Sequence, residues 1–380
     1  MVPSEFSISA DSFQGNFVKQ QAVALQKLGA AVDILYVEPR RLRTFTPKLL
    51  KESHFQTAVK REDGILTIRR RGWNPILNRA MGGRIWSSLT RQLTGQYIRN
   101  YGVPDIIHAH NALWAGFASC GFHEKYRIPV VLTEHSSLYA EGRVTPDAAR
   151  YARSAFDGAS SVICVSQSLA FDIGPYCDHP ITVIPNLVDT SFFCPPPAEP
   201  DEWPYIFLAV GGLDKVKGFD LLLRAFACYP GPAESVRLRI GGDGPEMHAL
   251  QSLAAQLGIE DRVVFMGRLA REQVREEMWK AHSLVVSSKI ETFGIVIIEA
   301  LSTGLPVLAT RCGGPEDIVT EESGLLVKAE SVSEMSNAMH EMTLRPRYNR
   351  DVLRQTALSR FGTPVIAERL YSHYLNLLQR

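Results

Sequence analysis

Short apolar runs alternate with segments of helical period along most of the chain. Residues 32–37, Val-Asp-Ile-Leu-Tyr-Val, read as a strand that follows a helix ending near Gly29. Similar runs occupy 105–108, 130–132 and 161–165. The first half therefore predicts βα alternation and a parallel sheet covered on both faces. Residues 193–200, Phe-Cys-Pro-Pro-Pro-Ala-Glu-Pro, are too rich in proline for a helix or a central strand and read as an interdomain linker. The alternation then restarts. Residues 205–210, 236–240, 262–266, 283–286 and 306–309 read as buried strands, with helices at 219–228, 246–257 and 272–281 between them. Two successive doubly wound α/β domains are expected, with a ligand in the cleft between them, beyond the carboxyl ends of the strands. Residues 354–380 read as two helical pieces broken near Phe361-Gly362-Thr363-Pro364.

Composition agrees with this picture and adds a charge asymmetry. The 380 residues are 45% hydrophobic and 21% charged, which excludes a mostly disordered chain and suffices for two cores. Six scattered cysteines form no C-x-x-C pair, which argues against a zinc site or a disulfide framework and fits a reducing compartment. The first residues lack a signal-peptide layout, and the most apolar long stretch, 103–122, is interrupted by Asp105, His108 and His110. A cytoplasmic protein is expected. Residues 1–110 carry 16 Lys/Arg against 8 Asp/Glu, although the whole chain has a net charge of only +1. Most of the excess lies in 39–100, including Arg69-Arg70-Arg71 and a predicted helix with Trp86, Leu89, Leu93 and Tyr97 on one face and Arg84 and Arg91 on another. That helix either packs its stripe on the core beneath a solvated face, or offers a basic surface to anionic headgroups or a phosphate-bearing acceptor. No recognised nucleic-acid-binding motif accompanies it, so a nucleic-acid partner is not expected.

Candidate chemistry concentrates in the second half. Val210-Gly211-Gly212-Leu213-Asp214-Lys215-Val216-Lys217-Gly218 follows a strand and opens a helix, where backbone amides and two lysines can meet phosphate. It matches neither G-x-G-x-x-G nor the Walker pattern, so nicotinamide and Walker-type readings lose support. Gly241-Gly242-Asp243-Gly244-Pro245-Glu246 and Gly313-Gly314-Pro315-Glu316-Asp317 are two more such loops. Between them, Glu291 and Glu299 are separated by seven residues, the second set within an almost wholly apolar helix. A glutamate there is costly unless it accepts hydrogen bonds, and sugar or ribose hydroxyls are natural donors. The amides of Phe293, Gly294 and Ile295 at the helix start can face a phosphate.

Taken in order, G-N-F-V-K-Q-Q-A-V-A-L, D-I-I-H-A-H, T-E-H-S, V-I-P-N-L-V-D, the lysine-glycine loop, G-G-D-G-P-E, the paired glutamates and G-L-P-V-L-A-T-R-C-G-G run from about residue 15 to 314. In these motifs the chain resembles the retaining nucleotide-sugar glycosyltransferases of family 4, the group 1 glycosyltransferases. The resemblance implies the GT-B fold: two Rossmann-like α/β domains facing a cleft, at 1–194 (completed by about 361–380) and 205–360, joined by a linker at 195–204. The last helix would cross back onto the first domain. It further implies that Glu299 binds the nucleotide ribose, Glu291 the hydroxyls of the transferred sugar, and Lys217 the diphosphate. His135 would approach the sugar and reaction centre, Gly15 and Asn16 would close on the phosphates, and Arg268 would lie near the base. Gly212 and Gly242 belong to the implied donor loops.

The expected function is retaining transfer of a hexose-type sugar from a nucleoside-diphosphate sugar to an acceptor hydroxyl, in bacterial surface polysaccharide or glycolipid synthesis. The acceptor would be a saccharide or a lipid-linked species, with the enzyme peripheral on the inner membrane face. No D-x-D pair appears, so no essential metal and no cofactor are expected. Two departures from the family pattern stand out. Gly212 occupies a position commonly held by Arg, for which Lys215 would partly substitute, and the first strand is reduced to Met1-Val2-Pro3. Alternative readings are a GT-B epimerase or nucleotide-sugar hydrolase, and a non-catalytic sugar-nucleotide-binding subunit of a synthase.

Overall fold

Mostly apolar runs of two to ten residues form the strands, and glycine and aspartate positions between several of them turn the chain. The computed structural model describes residues 1–4, 16–41, 56–74, 79–344 and 348–379, with the backbone alone at 16, 39–41, 72–74 and 79–81. The chain divides into two units, Met1–Pro185 with Ile366–Arg380, and Asn186–Val365. In the first unit the strands are β1 Val2–Pro3, β2 Asp33–Arg41, β3 Thr57–Glu62, β4 Ile65–Asn74, β5 Ile107–His110, β6 Val130–Glu134, β7 Ser161–Cys164 and β8 Ile181–Val183. Five of them make a parallel sheet in the order β1-β5-β6-β7-β8, and three make a second sheet, β2-β4-β3. The amide of Leu35 donates to the carbonyl of Met1 at 2.9 Å, which sets β2 beside the two-residue β1.

The five-stranded sheet is parallel throughout, as expected, whereas the strand at 33–41 lies in the second sheet, where β3 runs antiparallel to β4. Asp63 and Gly64 both take positive φ (52° and 79°) in the turn that joins them, as a two-residue hairpin requires. The basic run 69–71 lies on β4. Its charge is partly cancelled there, because Arg69 and Arg71 reach Glu38 at 2.6 and 3.2 Å. The helix Arg79–Tyr101 buries Trp86 and Leu93 against this layer, with Leu89 and Tyr97 packed alongside. The indole of Trp86 donates to the Val37 carbonyl at 2.8 Å and the Tyr97 hydroxyl donates to Asp33 at 2.7 Å. Arg84, Arg91 and Arg99 remain exposed on the other side.

The second unit is one parallel sheet of six strands: β9 Tyr205–Val210, β10 Val236–Gly241, β11 Val263–Gly267, β12 Ser283–Val286, β13 Val307–Arg311 and β14 Gly324–Lys328. Their order, β11-β10-β9-β12-β13-β14, is that of the dinucleotide-binding sheet, with its reversal between β9 and β12. Helices cover both faces, so Phe207, Leu238, Ile240, Leu284, Val285 and Leu308 are all fully or nearly fully buried. The change of unit falls at Pro185 and Asn186, ahead of residues 195–204, which the sequence marks as a linker. That segment belongs to the second unit because its approach is pinned there. Phe193 is buried, its carbonyl accepts from Ser302 and Arg354, and the Cys194 carbonyl accepts from the Trp279 indole at 2.7 Å. The final helix, Thr363–Leu378, starts in the second unit and enters the first at Ile366, where Ile366, Ala367 and Leu370 are buried.

The three loops that follow β9, β10 and β11 interlock through backbone contacts. Leu213 donates to the Asp243 carbonyl, Glu246 to that of Leu213, and Gly242 to that of Gly267. Gly242 has φ of 148°, and a Cβ there would stand 1.9 Å from the Gly211 carbonyl oxygen. At Gly212 the nearest atom to an added Cβ is 3.6 Å away. Gly242→Ala should therefore lower unfolding stability by about 1–3 kcal/mol, whereas Gly212→Ala should leave it within about 0.5 kcal/mol. Denaturant titration of the two variants checks this, and equal losses would contradict it.

Candidate glycosyl-transfer site

The loops at the reversal of the second sheet bring the predicted lysine and first glutamate into contact. Lys215–Lys217 forms one tight turn capped by Asp214, whose carboxylate accepts from the amides of Val216 and Lys217 at 3.0 and 3.3 Å. Gly218 follows in the left-handed region (φ 65°), with Ser287 O only 2.2 Å from where a Cβ would lie. The Ser287 hydroxyl donates to the Lys217 carbonyl, and the Lys289 amide donates to that of Val216. These bonds fasten the loop after β9 to the loop after β12. The Lys217 ammonium then donates to Glu291 Oε2 at 2.6 Å. Burial alone would depress the ammonium's pKa, but the charge and hydrogen bond of Glu291 carry it above the usual lysine value.

Glu291 is itself held by backbone from the third glycine loop. Its amide donates to the Cys312 carbonyl at 3.0 Å and its carbonyl accepts from Gly314 at 2.6 Å. The helix Ile295–Ser302 begins four residues later, after Gly294 at φ 98°, and no side chain caps it. Its first amides are thus a ready donor set for an anion. Phe293 is buried and Ile295 half-buried. Glu299, one turn further along, keeps a little accessible surface but is surrounded by protein. Burial pushes its carboxyl up to about 8, opposed by the charge of Arg271, and among the described residues no hydrogen bond to it contributes. Arg271 is in turn stacked over Phe192 at 4.0 Å.

The remaining donor-side candidates are more peripheral. Lys215 and Gly212 are exposed on the loop after β9. The Gly242 amide is engaged by Gly267 and its backbone abuts Gly211, so this residue shapes the loop. Arg268 is exposed just past the carboxyl end of the edge strand β11, two strands from β9.

In the first unit, His135 follows β6, and its amide is held by Asn111 Oδ1 at 3.1 Å and Glu134 Oε1 at 3.0 Å. The Phe17 ring, from the start of the helix Asn16–Lys27, lies over the imidazole with centroids 4.5 Å apart. The predicted Asn16 therefore opens a helix beside His135, while Gly15 lies outside the described residues. Burial drops the His135 pKa to about 3, which leaves the ring neutral at physiological pH. His110 Nδ1 is 3.1 Å from His135 Nε2.

Two family models match this chain in succession. Residues 14–192 match Glycosyltransferase Family 4, and residues 195–357 match Glycosyl transferases group 1. The chain belongs to the family 4, group 1 glycosyltransferases.

This glycosyltransferase is 27% identical to TuaC of Bacillus subtilis (strain 168), a glycosyltransferase named for teichuronic acid biosynthesis, over 98% of this chain and 97% of the relative. It is 38% identical to a D-inositol 3-phosphate glycosyltransferase of Mycobacteroides abscessus, over 36% of this chain and 31% of the relative. Among solved structures, a sucrose-phosphate synthase from Thermosynechococcus elongatus superposes with a TM-score of 0.77 at 22% identity, covering 96% of this chain and 93% of that one. Anabaena HepE, solved with UDP, gives 0.74 at 20% identity over 99% and 98%. These likenesses establish the GT-B fold for the glycosyltransferase.

Sequence reasoning passed over Glu134. Its fully buried carboxylate accepts from the amides of Ala112, His135 and Ser136 at 2.9, 3.0 and 2.8 Å, and so fixes the backbone that presents His135. Burial raises its pKa despite those bonds. The signal was present, since T-E-H-S ends an otherwise apolar strand with a charge, but a carboxylate used for backbone amides has no spacing signature.

The elevated Glu299 carboxyl makes a stability prediction. The folded state holds a proton that the unfolded chain has released between about 4.5 and about 8, so this group erodes stability as pH rises through that window. Glu299→Gln removes the erosion. Calorimetric Tm of the ligand-free variant, minus that of the parent, should grow from about pH 5 to about pH 8.5. A flat or shrinking difference would contradict the assignment.

Proposed function

We propose that this glycosyltransferase moves a hexose-type sugar from a nucleoside diphosphate to an acceptor hydroxyl with retention of anomeric configuration. The observation that carries the reading is Glu299, a carboxylate raised by burial on the helix that starts just past Glu291, with no hydrogen bond to it among the described residues. A ribose diol supplies two hydroxyl donors to such a group. Glu291 keeps Oε1 for a sugar hydroxyl while Oε2 holds Lys217. Lys217, with two further N–H donors, and the amides of Phe293, Gly294 and Ile295 meet the diphosphate.

In the reaction the bond from the sugar's anomeric carbon to the diphosphate oxygen breaks, and the electron pair leaves with the nucleoside diphosphate. Lys217 and the helix amides stabilise that developing charge. The acceptor oxygen bonds to the anomeric carbon on the face the leaving group departs from, and its proton passes to a departing phosphate oxygen. His135 orients the sugar. The positive charge for the leaving group comes from these groups, so neither a metal nor a cofactor is required. Gly15, Asn16, Gly212, Lys215, Gly242 and Arg268 complete the donor set.

The acceptor is a saccharide or a lipid-linked species used in building bacterial surface polysaccharide or glycolipid. Support comes from the relatives' names, teichuronic acid in one and inositol phosphate in another. The exposed Arg84, Arg91 and Arg99 of the helix Arg79–Tyr101 suit a peripheral site on the anionic cytoplasmic face of a membrane. Among the described residues no helix is long and apolar enough to cross one.

Incubation with UDP-, GDP- and ADP-sugars in EDTA, with glycerol-linked, inositol-phosphate and polyprenyl-phosphate-sugar acceptors, tests the reading. One donor should give a product with the donor's anomeric configuration by proton NMR, and Glu299→Ala should weaken donor binding at least tenfold. An inverted product, free sugar as the sole product, or a requirement for divalent metal would each contradict it. Lys215→Ala should raise donor KM or lower kcat a few-fold, and unchanged kinetics would remove Lys215 from the site.

A further inference from the structure

Three histidines from the ends of β5 and β6 stack in the first unit. His108 and His110 have ring centroids 4.2 Å apart, and His110 and His135 lie 5.4 Å apart and nearly parallel. His108 is occupied at both nitrogens, Nδ1 by the Tyr374 hydroxyl at 2.6 Å and Nε2 by Thr133 Oγ1 at 2.7 Å. It can therefore back the His110 ring but offers it no hydrogen bond. Among the described residues the His110 ring has one hydrogen-bond partner, His135 Nε2, at its own Nδ1. Its other nitrogen, Nε2, is buried with no partner.

That asymmetry decides the proton. A neutral imidazole carries one N–H and one lone pair. Orphaned buried N–H groups are rare, whereas an unused acceptor lone pair is better tolerated. His110 therefore carries its proton on Nδ1 and donates to His135. His135 Nε2 must then accept, and its own proton sits on Nδ1.

We propose that His110 is a positioning residue that locks His135 in the Nδ1–H form, so that His135 Nε2 is held by His110 and cannot abstract a proton from the acceptor. The proposal rests on the role given to His135 above and deepens it. With its lone pair engaged, His135 has no basic nitrogen to offer the acceptor, which leaves the departing phosphate as the base. Burial supports the arrangement by keeping both rings neutral.

The test uses the full chain labelled with 15N-histidine, without substrate, in a two-bond proton–nitrogen correlation spectrum. His135 is assigned by the signal lost in His135→Asn. The parent should show His135 protonated at Nδ1 and bare at Nε2. His110→Leu should shift it toward the Nε2–H form and lower kcat about tenfold with donor KM within twofold. His110→Asn, whose amide nitrogen falls near the Nδ1 position, should restore the parent pattern and most of kcat. A parent His135 protonated at Nε2, or a pattern indifferent to His110→Leu, overturns the proposal. The spectrum needs no glycosyl transfer, so a failure of the proposed reaction would remain separable from a failure of the tautomer assignment.

Discussion

The Lys217–Glu291 ion pair, 2.6 Å long and largely withdrawn from water, is the contact on which the second unit's site depends. It lies where the strand order reverses, between β9 and β12, and joins side chains from the two loops that follow those strands. The surrounding bonds prepare it. Asp214 caps the turn that carries the lysine, Ser287 and Lys289 fasten that turn to the next loop, and Cys312 and Gly314 grip the Glu291 backbone. A half-buried ion pair contributes little net stability once desolvation is counted. In the proposed reaction its value lies in holding a cation and a carboxylate in fixed positions ahead of a donor that carries phosphate at one end and hydroxyls at the other.

Each unit withdraws a carboxylate from water, Glu134 at the end of β6 and Glu299 within the helix Ile295–Ser302, to different effect. Glu134 is satisfied by three backbone amides and makes the loop around His135 rigid. Glu299 has its charge opposed by burial and relieved only in part by Arg271, with no hydrogen bond to its carboxylate among the described residues. The first arrangement is structural and the second is incomplete, and an incomplete buried acceptor is a strong local argument for a ligand. Tyr374, from the closing helix, adds a further fixed point by holding His108, so the end of the chain helps define the histidine stack.

Much of this was legible in the sequence because burial on both faces leaves continuous apolar runs. All five strands expected in the second half exist, and the strongly periodic stripe Trp86, Leu89, Leu93 and Tyr97 packs inward. The strand β14 at Gly324–Lys328 was passed over because it is short and ends in a lysine. The hairpin of β3 and β4 was passed over because Thr57–Glu62 is polar and exposed, although Asp63-Gly64 carried the turn signal. The proline-rich stretch lies where the two family matches meet, yet it clusters with the second unit, because composition reports what a segment cannot form and says nothing of what grips it. Paired glutamates at fixed spacing were readable, but the histidine stack was not, because His108, His110, His135 and Tyr374 meet only through sheet register and the final helix.

The central claim is that Glu299 receives the ribose hydroxyls of the donor. In the free protein its carboxyl holds its proton up to about 8. Hydroxyl donors favour the ionised form, so binding should expel that proton. Calorimetric titration of the nucleotide sugar near neutral pH, in buffers of different ionisation enthalpy, counts it directly. The account predicts release approaching one proton per donor bound, and none in Glu299→Gln. Binding of the donor with no proton release, or with uptake, would contradict the account.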